Sequence, residues 1–193
     1  MGIEYELKYR ATQQILQQID AAVEGERTVL QMQTTYYDTP SGQLSDRFYT
    51  LRCRLENGKP ICTLKAPAPG VSRGEWELEC GDIQAAIPEL CKLGAPADLP
   101  ELTQAGLLPI CGARFTRIAK TLELPHCTLE LALDRGELFS GDQSLPLCEV
   151  EVELKDGDPN GCTAYAAQLA IAFGLEPENR SKFRRALALY KGE

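Results

Sequence analysis

Three runs of charge at alternate positions constrain this chain more than anything else in it: Glu4-Tyr5-Glu6-Leu7-Lys8, Arg52-Cys53-Arg54 and Glu149-Val150-Glu151-Val152-Glu153. In an extended strand, side chains two apart share a face. Each run therefore lays charge along one line and apolar residues along the other. An antiparallel sheet usually turns its charged face to water. Dense charge repeated on strand after strand points instead to a sheet closed around a polar interior.

The alternation predicts eight strands, over Ile3–Tyr9, Thr34–Tyr37, Tyr49–Glu56, Pro60–Ala66, Gly74–Cys80, Arg117–Leu124, Cys127–Asp134 and Leu147–Leu154, with turns at Asn57-Gly58 and Pro125-His126. Helical spacing covers Ala11–Val23, with Ile15, Leu16, Ile19 and Val23 on one stripe, and Asp158–Phe173, opened by Asp158-Pro159 and closed by Gly174. A weaker stretch, Asp82–Leu108, carries Pro88, Pro96 and Pro100 and breaks into short pieces. A last helix runs from Ser181 to Tyr190. No internal repeat, low-complexity segment or linker divides the 193 residues, so residues 1–193 read as one domain. The fold class is α+β: an eight-stranded antiparallel β-barrel forming a tunnel, with flanking α-helices.

A formal charge of −8 argues against general affinity for nucleic acid, which rests on basic surface and displaced counterions. Charge begins at Glu4 with no apolar signal region, and no apolar run approaches the roughly 20 residues of a membrane span. A cytoplasmic protein with no membrane partner is expected. Eight cysteines include no CxxC pair, and Cys53, Cys80 and Cys148 each stand one residue from a charged strand position. They read as small buried hydrophobes in a reducing compartment rather than as a disulfide framework or a zinc site. An exposed strand edge favours a homodimer and a closed barrel a monomer.

Carboxylates two apart on a strand sit about 6.5–7 Å apart at Cα, close enough to share one divalent ion. Glu4 and Glu6 form one such pair, and Glu149, Glu151 and Glu153 repeat it. Oxygen ligands without His or Cys favour Mg²⁺ or Mn²⁺, and the lone histidine, His126, reads as a solvated loop residue. The plain alternative is a solvated sheet face. Matching cations weigh against it, because carboxylates crowded inside a barrel repel one another unless compensated. Lys8, Arg52, Arg54, Lys65, Arg73 and Arg117 supply that compensation. Guanidinium forks and ammonium groups suit a chain of phosphates, whereas interstrand salt bridges of small individual value are the plain reading. No GxxxxGK[ST], no GxSxG and no Cys/His nucleophile arrangement occurs.

Glu4-Tyr5-Glu6-Leu7-Lys8 resembles the ExExK signature of the CYTH superfamily, the triphosphate tunnel metalloenzymes. That superfamily includes inorganic triphosphatases, thiamine triphosphatases and class IV adenylate cyclases. The resemblance continues in order through Tyr36-Tyr37-Asp38-Thr39-Pro40, Leu51-Arg52-Cys53-Arg54, Thr63-Leu64-Lys65, Arg73 with Glu75, Arg117, Leu131-Ala132-Leu133-Asp134, Glu149 to Glu153, and Ser181-Lys182. It implies an eight-stranded tunnel that binds triphosphate and divalent metal, with Lys182 on a C-terminal helix near one opening. It implies Glu4, Glu6, Glu151 and Glu153 as metal ligands, then Asp134 and Glu149. Lys8, Arg52, Arg54, Lys65, Arg73, Arg117 and Lys182 would hold the triphosphate. Glu75 and Lys182 are the catalytic candidates, with Glu75 orienting or deprotonating the attacking water.

One departure stands out. Family members often carry a second basic residue two positions from the arginine matching Arg117, where this chain has Phe115 and Ala119. Arg114 or Lys120 replaces it only if the strand bulges. The implied reaction is metal-dependent hydrolysis of inorganic triphosphate or a small organic triphosphate. Its rivals are a class IV adenylate cyclase, for which Trp76 is the one available base-stacking residue although it reads as outward-facing, and a non-catalytic polyphosphate- or nucleotide-binding module.

Overall fold

The charge alternation is built into one antiparallel sheet of ten strands. The structure, a computed structural model, describes residues 2–3, 5–68 and 71–193, with side chains described for 5–67 and 74–193. The strands are β1 (Gly2–Ile3), β2 (Glu6–Arg10), β3 (Glu26–Asp38), β4 (Thr50–Glu56), β5 (Lys59–Ala68), β6 (Val71–Glu79), β7 (Leu108–Leu124), β8 (Cys127–Ser140), β9 (Gln143–Gly157) and β10 (Glu176–Pro177). They lie in the order β1-β6-β5-β4-β3-β7-β8-β9-β2-β10. The helices are α1 (Gln13–Ala22), α2 (Gln43–Asp46), α3 (Ile83–Lys92), α4 (Leu99–Leu102), α5 (Pro159–Phe173) and α6 (Lys182–Lys191). None of them is long and apolar enough to cross a membrane.

The expected closed barrel of eight strands is corrected on two counts. The described residues form ten strands, and among them the hydrogen-bonded ladder ends at β1 and β10 rather than closing on itself. The single strand expected over Ile3–Tyr9 is split: Gly2–Ile3 pairs with β6, while Glu6–Arg10 pairs with β9 at the other side of the sheet. Three peptide links join Ile3 to Glu6, so these two positions lie within about 11 Å. The backbone itself draws the two margins together.

Local chemistry sets the turns and caps. Asn57 and Gly58 take φ of 50° and 86°, the left-handed pair of a tight hairpin turn, and set Glu56 opposite Lys59. The Asp158 side chain accepts from Asn160 N, Pro159 follows at the first helical position, and Gly174 at φ 62° ends α5. Asp82 caps α3 through Gln84 N and Ala85 N, and the proline-rich stretch breaks into α3 and α4 as its composition predicts.

The outer face is apolar and covered in two places. Leu129, Leu131, Leu133, Val150 and Val152 pack beneath Leu16 and Ile19 of α1 and Cys162, Ala166 and Leu169 of α5. Leu51, Cys62, Leu64 and Trp76 pack beneath Ala86, Ile87 and Leu90 of α3 and Leu99 and Leu102 of α4. Burial of each such side chain stabilises the fold by about 1.5–3 kcal/mol. The inner face has two zones. One is charged; in the other, Met32, Tyr36, Ala113, Phe115, Leu138 and Leu147 close on Phe183 and Ala186 of α6. Helix α6 therefore packs against the inside of the sheet, not its exterior.

Several strands run longer than their alternation suggests, β9 (Gln143–Gly157) among them. In β3, only Met32–Tyr37 pairs with β4, whereas Glu26–Gln31 has β7 alone and stays largely exposed. A one-sided, solvated strand needs no apolar face, so it leaves no pattern to read. Strands β7 and β8 also extend beyond the expected limits, through Leu108–Thr116 and Arg135–Ser140, but there Gly112–Thr116 and Arg135–Phe139 pair on both sides and Ala113, Phe115 and Leu138 are buried.

Glu178, just after β10, anchors the last helix to the sheet. Its carboxylate accepts from Arg10 Nε and from Arg180 N, each at 2.9 Å. Burial opposes its charge, but the Arg180 backbone and the Arg10 and Arg180 side chains outweigh it and pull the pKa from 4.5 to about 2. The ionised group thus stabilises the fold above pH 4.5, and that contribution disappears as the pH falls toward 2. Glu178→Gln is expected to lose about 1–3 kcal/mol at neutral pH. In melts taken across the acid range, the variant should show a flatter loss of stability than the parent.

Candidate active site

Inward-facing positions converge on a cavity of about 310 Å³. Strand β2 contributes Glu6 and Lys8; β4 contributes Arg52, Arg54 and Glu56; β5 and β6 contribute Lys65, Glu75 and Glu77. On the β2 side stand Arg117 of β7, Glu130 of β8, and Glu151, Glu153 and Lys155 of β9, across from the β4–β6 residues. Leu30, Met32, Tyr36 and Phe183 form an apolar edge, with Lys182 beside it.

Register explains the carboxylate side. Glu6 is directly opposite Glu153, and Glu153 is directly opposite Glu130, so three acids stand in one row across β2, β9 and β8. Like charges facing one another across strands destabilise a sheet unless a cation intervenes. Lys8 Nζ meets Glu6 at 2.7 Å, Lys155 Nζ meets Glu153 at 3.0 Å, and Arg117 approaches Glu130 at 3.7 Å. Burial works against the charge on Lys8, and Glu6 with Glu151 and Glu149 more than offsets it, raising its pKa.

Deeper in the sheet lies a second acidic group. Asp134, Glu149 and Glu151 bring carboxylate oxygens within 4.8 Å of one another, all buried. Ser181 caps α6 by accepting from Arg184 N at 3.1 Å, which places Lys182 at the first helical position and aims it into this group. Its ammonium lies 2.8 Å from Asp134 and 2.7 Å from Glu151, and it also donates to Glu149. Arg117 grips Asp134 with two hydrogen bonds of 2.8 Å and reaches Glu151 as well. Arg185 pairs with Glu149. Burial pushes the Glu149 carboxyl up to about 7, reinforced by the Glu151 charge; Glu151, despite its own burial, is held well below the carboxylate range by Lys182 and Arg117.

The two acidic groups differ in their fit to a divalent ion. Both offer only carboxylate oxygen, the donor set of Mg²⁺ or Mn²⁺. The deeper trio already surrounds an ammonium and is matched by three cations. The Glu6–Glu153–Glu130 row, although Lys8, Lys155 and Arg117 each stand beside one of its acids, lines the cavity itself, where a hard cation can reach facing carboxylates.

The opposite wall is cationic. Arg54 Nη1 has Glu56 at 3.3 Å, and its Nε reaches Thr34 at 3.4 Å. Its pKa is lowered by burial first, then by the neighbouring Arg52 and Arg117 charges. Glu75 stands 3.4 Å from Lys65 and 3.8 Å from Arg52.

Most of the expected positions gather here. Glu6, Lys8, Arg52, Arg54, Lys65, Glu75, Arg117, Glu151, Glu153 and Lys182 line the cavity, while Asp134 and Glu149 lie behind it. Glu4 and the Arg73 side chain fall outside the described residues. The strand does not bulge at Arg117: its register with β8 runs unbroken from Gly112 to Leu124. Arg114 is spent on Glu137 at 3.2 Å, and Lys120 on Asp20 of α1 at 2.9 Å. Phe115 keeps the inner position and sets its ring 5.9 Å from the Arg117 guanidinium and 5.4 Å from Lys182 Nζ. Glu130, Glu77, Lys155 and Arg185 carry no site role in the sequence reading. Glu77 and Lys155 share the strand parity of Glu75 and Glu153, and Arg185 lies one helical turn beyond Lys182, so spacing points to those three; Glu130 joins the row only through the register that sets it opposite Glu153.

A family model for the CYTH domain matches residues 2–187. The chain belongs to the CYTH family. An inorganic triphosphatase of Haemophilus influenzae is 28% identical over 159 residues, covering 80% of this chain and 45% of that protein. This CYTH chain thus spans less than half the length of that relative. Among solved structures, a Hippeastrum adenylyl cyclase candidate described as having a dominant triphosphatase activity superposes with a TM-score of 0.65 at 21% identity, over 96% of both chains. A Pyrococcus horikoshii protein gives 0.62 at 22% identity, over 97% of this chain and 99% of its own. At these identities the structures speak for the CYTH fold.

Lys182→Met would leave three buried carboxylates with two guanidinium partners. The expected cost is about 3–5 kcal/mol, read by chemical denaturation. Adding Glu149→Gln, which removes the acid least able to hold its charge, should recover a large part of that loss.

Proposed function

We propose that this chain hydrolyses the phosphoanhydride bond of inorganic triphosphate or a small organic triphosphate with Mg²⁺ or Mn²⁺. The observation that carries the reading is the polarised cavity: Arg52 and Arg54 crowd on one wall, where burial and then the Arg52 and Arg117 charges lower the Arg54 pKa, and a carboxylate row stands across from them. Converging cations of this kind gain most from a polyanion.

In this reading Lys8, Arg52, Arg54, Lys65 and Arg117 hold the phosphate oxygens, Arg73 joins them, and Lys182 meets the chain from the α6 side. Glu6, Glu153, Glu151 and Glu4 hold the metal, with Glu130 added to them; Asp134 and Glu149 keep Lys182 and Arg185 in place behind. The bound ion supplies Lewis-acid stabilisation of charge on the phosphate oxygens. The guanidinium groups stabilise charge on the leaving oxygen. Glu75, within reach of Lys65 and Arg52, orients the attacking water and accepts its proton, so no covalent nucleophile is needed.

Adenylate cyclase chemistry in this cavity needs a place for the base. Trp76 is buried on the outer face under α3, with its ring so close over the strand that a Cβ on Gly74 would stand 2.6 Å from it. That aromatic is unavailable to a ligand in the cavity.

The test is phosphate release from tripolyphosphate, thiamine triphosphate and ATP with Mg²⁺ and Mn²⁺. Tripolyphosphate or one of the organic substrates should release phosphate only with metal. Arg54→Ala should lower kcat/KM by about 10²-fold or more and leave the melting temperature nearly unchanged. Cyclic AMP from ATP would move the assignment to a cyclase, and tight binding without phosphate release would make the chain a binding module.

A further inference from the structure

Outside the cavity, the β4–β5 hairpin carries thiols that no reading of the site uses. All eight cysteines are free. Cys53 and Cys62 are direct cross-strand partners on the outer face. Leu55 pairs with Pro60, which has no N–H and sends its carbonyl to Cys80 N of the neighbouring segment at 3.1 Å. Leu55 and Pro60 are therefore a non-hydrogen-bonded pair, and alternation along the ladder makes Cys53 and Cys62, two positions further, another. Side chains of such pairs are the closer kind, with Cα atoms about 4.5 Å apart, inside the 4.4–6.8 Å range that a disulfide spans.

The side chains also converge. Both thiols donate to the Cys80 carbonyl, Cys62 at 3.2 Å and Cys53 at 3.8 Å. Cys53 is half-buried while Cys62 has no exposure, so an oxidant meets Cys53 first. The Cys80 thiol, also half-buried, donates to the Asp82 carbonyl at 3.2 Å.

We propose that Cys53 and Cys62 are a reversible oxidation site, taking hydrogen peroxide as oxidant and closing a cross-strand disulfide. Peroxide oxidises the Cys53 sulfur to the sulfenic acid, its O–O bond breaks, and one water leaves. The Cys62 sulfur then attacks that sulfur: the S–S bond forms, the S–OH bond breaks, and the hydroxide departs with the Cys62 proton as a second water. Two electrons pass from the two sulfurs to the peroxide. The bridge lies directly behind Arg52 and Arg54, on the other face of the same strand.

The full chain is treated with peroxide, and its intact mass and non-reduced peptide map are read. The expected result is loss of two hydrogen masses and a Cys53–Cys62 linked peptide pair, both reversed by dithiothreitol. Cys53→Ala and Cys62→Ala should each abolish the link, and Cys80→Ala should retain it. Melts check that each variant is folded, and if Cys62→Ala is not, the wild-type map and Cys53→Ala decide. Sulfinic or sulfonic acid on an unlinked Cys53, or a link that vanishes with Cys80, overturns the proposal. None of these readouts depends on triphosphate turnover.

Discussion

A lysine ammonium buried among Asp134, Glu149 and Glu151 is the interaction on which the interior depends. Three carboxylates gathered in a sheet are costly to desolvate, and removing one partner of such a cluster costs far more than an exposed ion pair contributes. Here the compensation comes from three cations: Arg117 from the adjacent strand, and Lys182 and Arg185 from one turn of α6. The helix is therefore held to the sheet interior by charge as well as by Phe183 and Ala186 against Tyr36, Phe115 and Leu138. Packing and electrostatics specify the same docked position.

That arrangement divides the concave face into an apolar zone under α6 and a charged zone beside it. Where α6 sits, the acids are satisfied internally. Where it does not, Glu6, Glu153 and Glu130 face one another while Arg52 and Arg54 gather opposite, and both groups look onto the same space. Each of these acids has a cation beside it, yet like charges remain concentrated on each wall, and that separation is what the proposed metal-bound polyanion would use.

Much of this was legible because the strand period is two. Glu6, Lys8, Arg52, Arg54, Glu151 and Glu153 betray their shared face by spacing alone, and the hairpin at Asn57-Gly58 and the caps at Asp158 and Ser181 follow from side-chain chemistry. Glu130 escaped because it is a single acid in an apolar strand, and its neighbours across the ladder are set by a register that no local pattern encodes. The exposed start of β3 escaped for the opposite reason, having polar residues on both faces. The apolar stripe of α6 shows that the helix must pack, but not that its partner is the concave side of the sheet. Sheet closure was misjudged because β1 and β2 read as one strand, although their partners lie at opposite margins.

That divided run at the N-terminal side of α1 has a consequence for how the molecule assembles. Glu6 and Lys8 are synthesised early but find their ladder partners, Glu153 and Glu151, only once β9 has emerged. Pairings of such long sequence separation carry a high loop-closure cost and form late. Hairpins β4–β5 and β7–β8, whose contacts are local, are free to form during translation, whereas the acidic row and the space it borders come into being only when the first-made strand docks against one of the last.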